Sequence, residues 1–189
     1  MSVPSAAYSV TASFFHWAVA IPTIGCVGCV MKAQDSPKSE KGKWMYRHKS
    51  LGLLTGMIVA PRLGYRLLSR SSYNVLELKG NSSAENFLGK AGHYLLYGFM
   101  TVMPATGIAM GYFGGAGLPF FFTKFSAIKK TDENKASTGA IAKNAFQVHK
   151  QLGVYGKYLI PVHASAAFLH YFRGQAIFTR VNPFRTPRG

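Results

Sequence analysis

The sequence predicts an all-α protein: an integral membrane four-helix bundle with both termini on the same side. Three observations predict it. The apolar residues are gathered into four long blocks instead of being dispersed at helical or strand period. The cations sit mostly between those blocks. All six histidines lie within or at the edges of the blocks. With 48% of 189 residues hydrophobic, disorder is excluded. The length fits a single domain, 1–189.

The first span is read at 14–31. It carries no charge, and 18 residues rise about 27 Å as a helix, near the thickness of a bilayer core. A secretory signal peptide would place basic residues before the apolar run, and here there are none. Pro22 is expected to kink this helix. Cys26 and Cys29, the only two cysteines, lie inside it. They exclude a disulfide scaffold and read as small packing residues. A basic connection follows, with Lys32, Lys38, Lys41, Lys43 and Arg47.

The second span is read at 48–68, interrupted by Arg62 and Arg66. A polar connection, 69–90, leads to the third span at 92–113, which is uncharged and contains Pro104. Gly114 to Phe122 then breaks the helix, and its aromatics suit a membrane interface. Residues 123–147 read as a long basic loop. The fourth span is read at 151–172, with Lys157 stranded inside it and a basic tail, 173–189, behind it.

Charge has consequences of its own. There are 22 Lys and Arg against 6 Asp and Glu, a net charge of +16. Such a charge first points to nucleic acid, but cations confined between apolar blocks do not form a nucleic-acid face, so no nucleic-acid partner is expected. Nine cations fall on the side holding the termini and twelve on the other, so the positive-inside rule assigns no orientation. Cations on both faces suit acidic lipid head groups or acidic partner subunits.

The histidines carry the chemistry, because ionisable side chains at membrane depth are costly and usually functional. His149 and His163 are 14 residues apart. Fourteen steps of about 100° return to within roughly 40° of the same helix face, about 21 Å further along. Two ligands so placed can hold two stacked haems. The second and fourth spans enter from one side, which puts His48 with His149. The first span enters from the other, which puts His16 with His163. His93, opening the third span, is a rival partner for that second pair. Bis-His ligation closes both axial positions of haem iron and favours electron transfer. His170, seven residues beyond His163, should face the same cavity nearer the surface. Arg62 lies on the face of His48, one leaflet away, where a haem propionate would suit it. Gly52, Gly56, Gly153 and Gly156 follow their histidines on the same faces and read equally as room for a macrocycle or as close helix packing. A His-lined proton or metal path is the competing reading, but no carboxylate or thiolate supports a zinc or copper site.

These residues resemble the bacterial cytochrome b561 family, over nearly the whole chain. The resemblance rests on Phe15-His16-Trp17, on Tyr46-Arg47-His48-Lys49-Ser50-Leu51-Gly52, on Arg62-Leu63-Gly64-Tyr65-Arg66, and on Gly92-His93-Tyr94-Leu95-Leu96-Tyr97. It continues through Met103-Pro104-Ala105-Thr106-Gly107, His149-Lys150-Gln151-Leu152-Gly153 and the block His163 to His170. The resemblance implies two haem b groups, one on His16 and His163 and one on His48 and His149. It further implies electron exchange with quinone. In one branch superoxide is oxidised to oxygen while ubiquinone is reduced. There a Lys in the second-to-third connection and a His late in the fourth span lie at the quinone, and Lys79 and His170 match them, with His93 nearby. The expected function is therefore electron transfer between a one-electron donor, superoxide in the enzyme reading, and quinone. The alternative is a non-catalytic haem-containing accessory or anchor subunit of a respiratory-chain complex, in a bacterial or mitochondrial inner membrane.

Overall fold

A computed structural model describes residues 9–68 and 80–184. Within them the chain is mostly helical. Helix α1 spans Val10–Asp35, α2 Lys38–Leu68, α3 Ser83–Phe113, α4 Lys135–Gly156, α5 Leu159–Phe172 and α6 Ile177–Arg180. Strands β1 (Leu118–Phe120) and β2 (Thr123–Phe125) form an antiparallel hairpin between α3 and α4. Gly114 to Phe122 thus breaks the helix as expected, but it does so with a small sheet that an all-α reading lacks.

Local chemistry sets the ends. Ser9 caps α1, its hydroxyl accepting from the Ala12 N–H at 3.1 Å. Ser82 and Glu85 form a reciprocal capping box on α3, through Glu85 N–H to Ser82 Oγ (3.2 Å) and Ser82 N–H to Glu85 Oε2 (2.9 Å). At the far end of α3, Lys130 Nζ donates to the Phe113 carbonyl (2.6 Å) and to the Thr138 hydroxyl of α4 (2.7 Å). A cation on the last carbonyls complements the helix dipole.

Helix α1 packs on α2, α3 on α4, and α2 on α3. Small residues make the seams. A Cβ at Gly25 would lie 3.2 Å from Leu51, and one at Gly56 would lie 3.1 Å from Pro104 Cβ and 3.3 Å from Ile108. Backbones approach closely where side chains are small, as is common between helices in lipid. The C-terminal segment returns to α1: Ser13 Oγ donates to the Arg180 carbonyl (3.2 Å) and Trp17 Nε1 to the Val181 carbonyl (2.8 Å). The described ends of the chain therefore meet on one side of the bundle.

Two helices, α1 and α3, are long and apolar enough to cross a membrane. They match the spans read at 14–31 and 92–113. The other two spans do not meet that test among the described residues. The one read at 48–68 lies in α2, which already starts at Lys38, so most of the expected 32–47 connection is helical. The fourth departs further. The segment read as a continuous span, 151–172, is broken at Lys157 and Tyr158. Proline explains the break. Pro161 has no N–H to offer the Lys157 carbonyl, and its ring collides with that group. The chain passes through a tight turn (Tyr158 N–H to Tyr155 O, 3.3 Å) and restarts with Val162 N–H on Tyr158 O at 3.2 Å. Pro161 then sits in the first turn of α5, where proline is tolerated. Lys157, unexplained in a continuous span, caps the end of α4 with its ammonium 5.1 Å from the Tyr158 ring. Another departure is at 123–147. The expected loop is already helical from Lys135, because Thr138 is buried against Lys130 and gives this basic stretch a packed side.

Candidate functional site

His48 of α2 and His149 of α4 face each other with ring centroids 6.1 Å apart. Each ring is fixed through Nδ1. His48 Nδ1 donates to the Cys26 carbonyl at 3.0 Å, with the Cys26 Sγ 3.2 Å away. His149 Nδ1 donates to the Met103 carbonyl at 3.0 Å and lies 3.1 Å from the Thr106 hydroxyl. A carbonyl oxygen only accepts, so Nδ1 carries the proton and Nε2 keeps its lone pair on both rings. Gly107 makes room for this: a Cβ there would stand 3.3 Å from His149 Cε1. Trp44, one helical turn before His48, has a buried indole N–H with no hydrogen-bond partner among the described residues.

At the other end, His16 of α1 and His163 of α5 have ring centroids 6.2 Å apart. His93 of α3 stands 5.4 Å from His163. All three line a cleft of about 830 Å³, its open mouth included, between α1, α2, α3 and α5. Arg62 and Tyr97 line it too, and the Arg62 guanidinium lies 5.5 Å from the Tyr97 ring centre. A smaller polar cleft adjoins it, adding Tyr65 and Arg66 to His16, Arg62 and His93. His93 Nδ1 is held by the Gly89 carbonyl of its own helix at 2.7 Å.

The remaining predicted residues divide. His170 does not join His163 in this cleft; its Nδ1 meets Gln175 Oε1 at 2.6 Å, and Gln175 Nε2 donates to Asn81 Oδ1 at 3.0 Å. Next to this chain of amides, Arg173 pairs with Glu85 in the first turn of α3, outside the uncharged run. The hydrogen bond from Arg173 and the Ser82 backbone N–H hold the Glu85 carboxyl down at about 2. Lys79 lies outside the described residues. Gly52 opposes Cys26, where an added Cβ would be 3.6 Å from the sulfur, so it sits beside the His48 site. Gly56 meets Pro104 and Ile108 instead, and Gly156 lies against the Phe99 ring.

Sequence reasoning missed Cys26, Met103, Thr106 and Trp44. Backbone carbonyls have no residue-type signature, so the acceptors at 26 and 103 were invisible. Trp44 had a usable signal: it is four residues before His48, on the same helix face. Among the described residues no three His, Cys, Asp or Glu side chains converge to hold a metal ion.

No curated protein matches the chain. The sequence model of one family, described as prokaryotic cytochrome b561, matches residues 7–181 and so takes in all six helices and all six histidines. The chain belongs to the prokaryotic cytochrome b561 family, membrane proteins that bind haem b and transfer electrons.

Proposed function

We infer that this chain is a di-haem b-type cytochrome that moves electrons between a one-electron donor and quinone. The observation that carries the reading is the repeated imidazole pairing, at 6.1 and 6.2 Å. A metal–imidazole bond is about 2.0 Å and the ring centre lies roughly 1.1 Å behind the nitrogen, so two rings across one iron are about 6.2 Å apart. Both pairs fit that spacing. The 5.4 Å between His93 and His163 is too short for it, which supports His16 as the partner of His163.

The surroundings fit as well. Tying Nδ1 to a carbonyl fixes the tautomer and raises the basicity of Nε2, as metal-ligating histidines require. Arg62 offers a guanidinium to a carboxylate in the His16 cleft. Near the other pair, Gly52 keeps the backbone open and the unpartnered Trp44 N–H can donate to a carboxylate. His16 with His163, and His48 with His149, would hold haem b in these two places, and it would supply one-electron chemistry there. The bundle also exposes apolar side chains such as Phe14, Ile21 and Leu95, which suits lipid contact.

At the His16 end, His93 lines the open cleft, and in this reading it would exchange a proton with quinone. His170 and Lys79 enter the quinone reading through the family resemblance. The basic segments 32–49 and 124–150 lie at the opposite end and would attract an anionic donor such as superoxide. Cations on both faces favour a second reading, an accessory haem subunit with acidic neighbours in a bacterial or mitochondrial respiratory complex.

Superoxide-dependent quinone reduction by the purified protein separates the two. Turnover that disappears in Lys79→Ala or His170→Ala supports the donor–quinone function. Absent turnover with co-purifying acidic respiratory subunits supports the accessory role and overturns the first.

A further inference from the structure

The connection between α3 and α4 has a feature that electron transfer does not use. Pairing of Phe120 with Thr123 leaves Phe121 and Phe122 as the two turn residues of the hairpin. Turns of this length favour Gly, Asn or Asp, because their backbone needs positive φ. Phe121 nevertheless sits at φ 47°, the sole non-glycine residue with positive φ among the described residues. Neither ring is sheltered: Phe121 is 40% exposed and Phe122 is fully exposed, at 104%. An aromatic held at a strained position and left uncovered points to a role outside the fold.

The tip is held at a defined depth. Ser50, itself buried, accepts from the Phe121 N–H at 3.1 Å and donates to the Pro119 carbonyl at 3.4 Å. Tyr46 donates to the Phe121 carbonyl at 2.9 Å. Tyr46 stands two residues before His48, where the apolar run of α2 begins. The two rings therefore lie at the level where this helix leaves its apolar stretch.

Charge identifies the occupant. Lys43, Arg47 and Lys49 surround Tyr46 in sequence, Lys124 follows the tip, and all four are exposed. Segments 32–49 and 124–150 together hold twelve Lys and Arg against Asp35, Glu40, Asp132 and Glu133. Phe side chains on interfacial segments insert at the boundary between head groups and acyl chains, and nearby cations add attraction to an anionic leaflet.

We propose that the Phe121–Phe122 hairpin is an interfacial anchor for an anionic lipid leaflet. It seats both rings at the head-group boundary while Lys43, Arg47, Lys49 and Lys124 meet lipid phosphates. Through Ser50 and Tyr46 it fixes the depth of α2, and with it His48. The anchor rests on the bundle spanning a bilayer.

The test is photo-crosslinking with p-benzoylphenylalanine in place of Phe122, in native membranes and in nanodiscs. Leu95, 60% exposed on α3 and far from the hairpin, is the control position. The expected result is a lipid adduct from both positions. At position 122 the yield in phosphatidylglycerol nanodiscs should be several-fold above that in phosphatidylcholine, and changing the four cations to Gln should remove that advantage. A protein adduct at 122, no adduct there while Leu95 labels, or equal yield in both lipids overturns the anchor. Failure at Leu95 as well overturns the membrane-spanning bundle itself.

Discussion

Replacing Gly107 should remove one haem and spare the other. Gly107 faces His149, and an added Cβ would come within 3.3 Å of Cε1 and 3.6 Å of Nδ1. Alanine asks the imidazole to yield by a few tenths of an ångström, and the Met103 bond at 3.0 Å tolerates that. Valine adds two methyls on the same bond and drives the ring off its carbonyl. Overpacking of this kind costs about 1–3 kcal/mol, which is roughly a 5- to 150-fold loss in affinity at a ligand-dependent site. Gly153→Ala is the matched control, since a Cβ there meets Met103 Cε at an ordinary 3.8 Å. The assay is haem per chain by pyridine haemochrome, with reduced-minus-oxidised spectra to show which haem remains. Gly107→Val should retain the His16–His163 haem, which doubles as evidence that the variant has folded, and should lose most of the other. If both haems persist with unchanged spectra, or if the haem at His16 is the one lost, the placement of His149 as a ligand is refuted.

Further outcomes follow from the same geometry. Trp44→Phe removes a donor that has no partner among the described residues; it should shift the midpoint potential of the His48–His149 haem, measured by redox titration, and leave the other unmoved. A shift confined to the His16–His163 haem would contradict this. Glu85, whose carboxyl falls from an ordinary 4.5 to about 2 through Arg173 and Ser82, is stabilising above its unfolded value. That contribution is lost as pH falls from the ordinary carboxylate range towards 2. The thermal-midpoint gap between wild type and Glu85→Gln should therefore be present at neutral pH and narrow on acidification, and a gap that widens would reverse the sign.

Much of the site was legible because histidine is scarce and costly at membrane depth. The side from which each span enters paired His16 with His163 and His48 with His149, and the structure brings the rings of each pair close. The fourth segment is a different case. The helical arithmetic from His149 to His163 assumed one straight rod, yet Pro161 breaks it. Proline alone was an ambiguous sign: Pro22, Pro61 and Pro104 lie inside helices that continue. A preceding glycine does not single out Pro161 either: Gly156 stands five residues before it, but Gly56 stands five before Pro61 and α2 continues. The helix from Lys135 was hidden for the opposite reason. Its apolar content is low, and its buried side depends on Thr138 and a lysine from the preceding turn. The partners of Nδ1 were beyond reading, since any residue type supplies a carbonyl.

The most direct measurement is haem stoichiometry in the wild type, His149→Ala and His163→Ala proteins, purified side by side. Two haem b per wild-type chain, falling to one in each variant with complementary spectra, is the expected result. A wild-type preparation with a single haem, or variants that lose the same one, would contradict paired imidazoles at two depths.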